Sequence, residues 1–393
     1  MTIEELLPPR RELPEDLRYR LREDVLTRLD RPKRGRWGVV AAAVVLLAGA
    51  ATAGVQLWRD ESPPVAGPSA DPAALVLDRC WAAAETAGKA GQLPPRGSWT
   101  SPVSAGEGEH VGVAFLAAGK PAVCETTATS VTLTNPDAPL AYAEGSRTAL
   151  LLHTTGGLAA GIADPAWARL ELSREDGLGI TMERITSPEH LFLSFTKTPP
   201  SMGALWAGRW DTDQIERTWP RAALPAPPPP LFSVIDRAGD RSSPAGAALK
   251  ECFARASHPP DDADSYQAGT LLENGRFRVV VARNAAHALV CSTDGETAQV
   301  HVDTFVGKSI PVRRLIVPDV GGRVAFVGIV PPSATRMIAD FGTGKPVDVP
   351  VANGTFAIWP PEGSIPVETS GTTWVKASTA QGTPLFNGEI GGK

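Results

Sequence analysis

The sequence predicts one transmembrane helix followed by two tandem β-rich α+β domains, each with one helix on an antiparallel sheet. Three observations predict this fold class. Residues 37–58 are apolar and uncharged, the C-terminal part resembles itself at an offset of 167 residues, and short alternating strands follow a helix in each copy. The high content of Pro (37) and Gly (38) also favours turns and β-structure over long helices.

The apolar segment 37–58 is expected to be an uncleaved membrane anchor. At about 1.5 Å per residue, a helix of this length crosses a ~30 Å hydrocarbon core, and Trp37 and Trp58 suit the two interfaces. Basic residues precede it: Arg31, Lys33, Arg34 and Arg36. The positive-inside rule then predicts a single-pass protein of the cell membrane with a cytoplasmic N-terminus and an extracytoplasmic C-terminal region. The alternatives are a signal peptide cleaved near Ala53 and a buried helix of a soluble domain.

The cytoplasmic segment 14–30 predicts an amphipathic helix that begins at Pro14 and ends before Pro32. Its apolar stripe recurs every four residues: Leu13, Leu17, Leu21, Val25 and Leu29. A lone helix of this length is marginal in water. We therefore expect the stripe to bind a cytosolic regulatory protein. The alternatives are a helix lying on the inner leaflet and a solvated tail.

The region after the anchor is predicted to be a tandem repeat. Cys124 and Cys291 lie 167 residues apart, and residues 161–177 align with 328–344 at the same offset without gaps. Five positions of this alignment are identical: Gly161/Gly328, Ile162/Ile329, Pro165/Pro332, Arg169/Arg336 and Gly177/Gly344. A unit of roughly 150 residues is therefore present twice.

The domain boundaries follow from the anchor and the repeat. The predicted segments are a cytoplasmic tail (1–36), the transmembrane helix (37–58), a Pro-rich stalk (59–71), a first extracytoplasmic repeat (72–215), a Pro-rich linker (216–243) and a second repeat (244–393). In each repeat, a short helix (73–87 or 245–257) is followed by a strand pair that returns to a cysteine.

The four cysteines are expected to form one disulfide in each repeat. The repeat selects the pairs Cys80–Cys124 and Cys252–Cys291 from three possible connectivities. An extracytoplasmic location would be oxidising. A zinc site is the alternative, but CxxC pairs and nearby histidines are absent from both repeats.

The sequence contains none of the common catalytic or metal-binding motifs, so it predicts neither an enzyme activity nor a bound cofactor. GxSxG, HExxH, Walker A and GxGxxG patterns are absent, and the six histidines do not recur between the repeats. The net charge of −5 argues against nucleic acid as a partner. Arg169 and Arg336 recur, so they are a candidate pair for an anionic ligand or for a structural ion pair within a sheet.

The stretch 11–29, followed by a basic cluster and an Ala/Val/Leu anchor, resembles the single-pass, anti-sigma-factor-like membrane proteins of actinobacteria. The resemblance implies that the tail binds a regulatory partner such as a sigma factor. The tail has neither His nor Cys, which excludes the zinc-type subclass.

Two functions follow as hypotheses. The first is a membrane-anchored binding or sensor protein whose exterior repeats bind an unknown ligand and whose tail binds a regulatory protein. The second is a cell-envelope adhesion or scaffold protein without a signalling role.

Overall fold

The computed structural model describes residues 71–196, 198–210, 221–304, 306, 311–319, 322–364 and 372–391. This part of the chain holds two α-helices and six β-sheets, whose strands pair antiparallel throughout. It belongs to one compact unit, Pro68–Lys393. The helices are α1 (Pro72–Thr86) and α2 (Pro244–Arg255).

Both helices begin where their first residues favour it. Asp71 accepts a hydrogen bond from the N–H of Ala73 at 3.0 Å, and a proline opens α1. Ser243 accepts a hydrogen bond from the N–H of Gly246 at 3.1 Å, and a proline opens α2. An N-cap oxygen and a proline at the first turn are the usual start of a helix.

In the first half of the chain, α1 covers a five-stranded sheet, called sheet 1, with the order β1-β2-β3-β4-β12. Its strands are β1 (Trp99–Glu107), β2 (His110–Ala117), β3 (Lys120–Thr126), β4 (Ser130–Leu133) and β12 (Phe232–Ile235). The last strand comes from the predicted Pro-rich linker. Directly after it, Asp236 forms an ion pair with Arg79 of α1 at 2.7 Å.

Two further sheets complete the first half. Sheet 2 has the order β5-β6-β9, and sheet 3 has the order β11-β10-β7-β8. Their strands are β5 (Ala149–His153), β6 (Leu158–Ile162), β7 (Arg169–Ser173), β8 (Thr181–Arg184), β9 (Leu191–Phe195), β10 (Trp206–Arg209) and β11 (Ala222–Ala223).

Sheet 2 lies between the other two sheets of the first half. Leu158 and Leu193 of sheet 2 pack against Val123 of sheet 1. On the opposite face, Phe192 packs with Leu170 of sheet 3. The first half is therefore a stack of four layers: α1, sheet 1, sheet 2 and sheet 3. The hydrophobic effect favours burial of both faces of sheet 2.

The second half repeats this order of layers. Sheet 4 is β13-β14-β15-β16, sheet 5 is β17-β18-β22-β21, and sheet 6 is β20-β19-β23-β24. Their strands are β13 (Gln267–Asn274), β14 (Phe277–Arg283), β15 (His287–Thr293), β16 (Ala298–Thr304), β17 (Arg313–Arg314), β18 (Phe326–Ile329), β19 (Arg336–Asp340), β20 (Val347–Val349), β21 (Val351–Ala352), β22 (Thr355–Ile358), β23 (Thr372–Ser378) and β24 (Pro384–Gly391). We call the two stacks the first and second repeats.

A glycine with the same surroundings occurs in both repeats. Gly161 of β6 pairs with Phe192 of β9, and Gly328 of β18 pairs with Phe356 of β22. In each repeat the aromatic ring lies over the glycine, and a carbonyl of the neighbouring strand approaches it on the other side. The identity found at the 167-residue offset therefore reflects close backbone packing, which only glycine permits.

The predicted fold class is corrected by this architecture. The described residues form a mainly β structure of six sheets, and each repeat contains three stacked sheets rather than one sheet with a helix. Alternation along a strand shows which face is buried, but it does not show to which sheet the strand belongs. That choice is made by packing between distant segments.

The predicted transmembrane helix and the localisation as a single-pass membrane protein are also corrected. Within the described residues, no helix is long and apolar enough to cross a membrane. The helices α1 and α2 have 15 and 12 residues and carry charged side chains. The segment 37–58, on which the prediction rested, lies outside the described residues.

His153, at the end of β5, should make the stability of the first repeat depend on pH. Its Nε2 donates a hydrogen bond to the carbonyl of Thr198 at 2.8 Å, and burial lowers its pKa below 6.5. Below pH 6.5 the unfolded chain therefore binds a proton that the folded chain excludes, so stability falls with a limiting slope of about 1.4 kcal/mol per pH unit.

We expect His153→Gln to reduce the loss of stability below pH 6.5. The measurement is the urea unfolding midpoint as a function of pH between 7.5 and 5. The control is His258→Gln at an exposed histidine, which should retain the wild-type slope. Equal slopes for wild type and His153→Gln would contradict the assignment.

Candidate ligand-binding cleft between the repeats

The two repeats meet through the turns at one end of the first repeat. The Oγ1 of Thr129 donates a hydrogen bond to the carbonyl of Ser265 at 2.9 Å. A Cβ atom at Gly156 would lie 3.2 Å from the Cβ of Ala285, and one at Gly157 would lie 2.9 Å from Val306. These two glycines let the second repeat approach the turn between β5 and β6.

A cleft of about 350 Å³ opens beside this junction, and both repeats line it. The first repeat contributes the turns 107–110 and 127–129. The second repeat contributes Gln267, the turn 283–285, Pro332 and Asn353. Most of these side chains are polar, and the volume falls in the range of about 300–1,000 Å³ that is usual for small-molecule sites.

Behind the wall from the first repeat lies a buried carboxylate, Glu125, held by two donors. Glu125 is 5% exposed, and its Oε1 lies 2.8 Å from Nε2 of His110 and 2.8 Å from Oγ1 of Thr154. A carboxylate only accepts hydrogen bonds, so Nε2 of His110 and the hydroxyl of Thr154 both donate. Phe195 contacts the imidazole edge-to-face, with 4.7 Å between ring centres. His110 is therefore fixed in orientation where it reaches the cleft.

The wall from the second repeat contains the guanidinium of Arg283. Burial lowers its pKa to about 10, against the attraction of the Glu107 carboxylate. Arg283 therefore stays charged at neutral pH. Its Nη1 lies 3.4 Å from the carbonyl of Val330. A Cβ atom at residue 354 would lie 2.5 Å from the same Nη1, so Gly354 makes room for the cation.

Two asparagines hold this second wall in place. Asn353 and Gly354 both have positive φ and form the two-residue turn between β21 and β22. The Nδ2 of Asn353 donates to the carbonyl of Ala268 at 2.7 Å. Asn284 accepts hydrogen bonds from the N–H groups of Ala286 and His287, at 2.9 and 2.7 Å. The wall is therefore built by local turns rather than by long flexible side chains.

Both cysteine pairs lie at disulfide distance, as predicted. The Cα atoms of Cys80 and Cys124 are 6.5 Å apart, and those of Cys252 and Cys291 are 6.3 Å apart. Each bond joins the helix of a repeat to the third strand of its first sheet. The cysteines are fully buried, so they act on the scaffold and not in the cleft.

The candidate pair Arg169 and Arg336 is not brought together at this cleft. Arg169 begins β7 in sheet 3, and Arg336 begins β19 in sheet 6. Arg336 is exposed, whereas Arg169 is half-buried. Their role as anion ligands or structural ion-pair partners stays a prediction.

The apolar stripe of the tail, Leu13 to Leu29, lies outside the described residues, and its binding to a regulatory protein stays a prediction. Within the described ranges, no three His, Cys, Asp or Glu side chains are grouped so that they could hold a metal ion.

Sequence reasoning missed the residues of the cleft. The histidines do not recur between the repeats, and for His110 this lack of recurrence is the signal that the sequence offers. At the 167-residue offset, His110 corresponds to Phe277 and Glu125 corresponds to Ser292. An imidazole and a carboxylate in one repeat, against an aromatic ring and a hydroxyl in the other, mark the place where the repeats differ in chemistry.

No protein-family model matches the sequence, and no curated protein matches it either. The class of protein is therefore defined by the fold and the cleft: a two-repeat β-sheet protein with a polar cleft at the junction of its repeats.

Proposed function

We propose that this protein binds a small polar ligand in the cleft between its two repeats. The observation that carries the proposal is the cleft of about 350 Å³, to which each repeat contributes one wall. A cleft with a few converging polar groups is the usual form of a small-molecule site. The fixed orientation of His110 and the buried setting of Arg283 also suit binding, because both are held by the protein before a ligand arrives.

The alternative of an adhesion or scaffold protein would need no such cleft. A scaffold could close the junction with apolar side chains, which stabilise a contact without the desolvation of charged groups. The charged and polar side chains among the lining residues therefore favour the binding hypothesis.

The proposal predicts that a ligand stabilises the folded protein. A panel of monosaccharides, small dicarboxylates and free amino acids would be screened by thermal unfolding of the full chain. A ligand at 100 times its Kd adds about 2.7 kcal/mol to the free energy of unfolding, which raises the Tm by several degrees.

A substitution that fills the cleft provides the control for this screen. Ala128→Trp should abolish the shift, because Ala128 lines the cleft. Ala166→Trp, at an exposed turn, should retain it. A panel without any stabilising member, or a shift that survives Ala128→Trp, would reject the proposed site.

A further inference from the structure

The charged side chains of the cleft are separated by sign between its two walls. Glu107 and Glu109 lie on the wall of the first repeat, and Arg283 lies on the wall of the second. Glu107 is close enough to Arg283 to raise the pKa of the guanidinium by Coulomb attraction. A ligand with a positive group near the first wall and a negative group near the second would match both charges.

His110 adds an imidazole ring of fixed orientation to the negative wall. Its Nε2 donates a hydrogen bond to the buried Glu125 carboxylate at 2.8 Å, which holds the ring where it lines the cleft. The first wall therefore combines two carboxylates with a fixed imidazole ring. An ammonium group, which only donates, is the complementary ligand chemistry.

The second repeat shows that the scaffold does not need the His110–Glu125 pair. Phe277 begins β14 as His110 begins β2, and Ser292 follows Cys291 as Glu125 follows Cys124. The same fold thus forms with an aromatic ring and a hydroxyl at these positions. Burial of an imidazole–carboxylate pair gains little stability over uncharged residues, so the pair in the first repeat points to a role in binding.

The remaining lining leaves room for a small ligand. Ala128, Ala285 and Pro332 give the cleft small apolar surfaces beside the charged groups. A volume of about 350 Å³ accommodates a free amino acid with a small or medium side chain.

We propose that the cleft binds a free α-amino acid, with its ammonium group at the Glu107 carboxylate, beside His110, and its carboxylate at Arg283. This inference rests on the proposed function and narrows it to one class of ligand. Glu125 is then a positioning residue, which fixes the His110 ring at the edge of the site through the hydrogen bond to Nε2.

Isothermal titration calorimetry of the full chain tests the ligand class. The probes are glycine, L-alanine, L-serine and L-threonine, together with propionate and ethylamine, which each keep one charged group of alanine. We expect at least one amino acid to bind, and the two half-analogues to bind roughly tenfold more weakly or worse. Equal binding of a half-analogue would overturn the zwitterion assignment.

Charge-removing variants test the two walls. Glu107→Gln and Arg283→Gln should each raise the Kd of the amino acid about tenfold or more. Glu296→Gln, at an exposed turn of the second repeat, is the charge-matched control and should leave the Kd unchanged. Binding that is indifferent to both wall variants would overturn the proposal.

Exchange of residues between the repeats separates binding from folding. The double variant His110→Phe/Glu125→Ser carries the residues of the second repeat. We expect it to unfold at an unchanged or higher denaturant concentration and to lose amino-acid binding. A lower unfolding midpoint would show that the pair is structural and would overturn the assignment of His110 to the ligand.

Failure of this inference is distinguishable from failure of the proposed function. A monosaccharide or dicarboxylate that binds, and is excluded by Ala128→Trp, would overturn the amino-acid assignment and keep the cleft as the binding site. An absence of binding in both panels would overturn both.

Discussion

Replacement of Cys80 and Cys124 by alanine is expected to lower the free energy of unfolding by about 3–4 kcal/mol. The disulfide spans 44 residues and joins α1 to β3. Its loss restores chain entropy to the unfolded state, and the chain-entropy relation gives about 4 kcal/mol for a loop of this size. The second pair, Cys252–Cys291, spans 39 residues and should contribute a similar amount.

Equilibrium unfolding in guanidinium chloride, with and without reductant, would measure this loss. Reductant should lower the guanidinium concentration at the unfolding midpoint of the wild type. The control is a variant in which all four cysteines are replaced by alanine, and its midpoint should be the same with and without reductant. Because the four thiols stay in place when the wild type is reduced, this comparison separates the cross-link from the loss of buried sulfur atoms. Coincident wild-type curves in both conditions would show that the cross-links do not stabilise the fold.

A second large effect is expected from Gly328→Ala in β18. The added Cβ would overlap with the carbonyl oxygen of Arg313 and would lie 2.5 Å from Cζ of Phe356. Neither the strand nor the buried ring can move without disturbing the contact between sheets 5 and 6. We expect a loss of about 2–3 kcal/mol in the free energy of unfolding, as is usual for overpacking in a core.

Gly161→Ala in the first repeat should behave in the same way, because its Cβ would overlap with the carbonyl of Ala149. The control is Gly91→Ala. Gly91 is exposed, and a Cβ atom there would meet nothing within 4 Å. Chemical unfolding of the three variants would measure these losses. If Gly328→Ala were as stable as Gly91→Ala, the close packing at the repeated glycine would not require glycine.

The internal repeat explains why part of the fold could be predicted from the sequence. An offset of 167 residues joins Cys124 to Cys291 and Gly161 to Gly328, and an offset of 172 joins Cys80 to Cys252, so both disulfide pairs and the equivalence of β6 with β18 could be inferred. The helix starts were also accessible, since Asp71-Pro72 and Ser243-Pro244 are local signals. Such features depend on neighbours in the sequence or on direct comparison of the two copies.

The stacking of three sheets was not predicted, although the strands of the middle sheet in the first repeat have a recognisable sequence pattern. The strands β5, β6 and β9 are apolar with little alternation, as expected for strands buried on both faces. The strands β11 and β12 could not be predicted from the sequence for a different reason. Their Pro-rich surroundings predict a spacer, and their pairing with sheets 3 and 1 depends on edges that form only in the folded chain.

The cleft could not be predicted because its residues are distant in sequence and ordinary in type. Glu107 and Arg283 belong to different repeats, and only the packing of the repeats places them near each other. Glu125 belongs to no recognised sequence motif. Its side chain is buried because folding brings the turn that contains Thr154 against it.

The strand β12 has a consequence for how the cleft can move. Because β12 belongs to sheet 1 and Asp236 is held by Arg79 at 2.7 Å, the chain that can act as a hinge between the repeats shrinks to residues 237–243. Within that stretch, Asp240 accepts hydrogen bonds from the N–H groups of Ser242 and Ser243, at 2.7 and 3.3 Å. So short a tether, together with the hydrogen bond between Thr129 and Ser265, limits how far the two walls can separate. For the proposed ligand, little entropy would then be lost on binding, and affinity could come from few contacts.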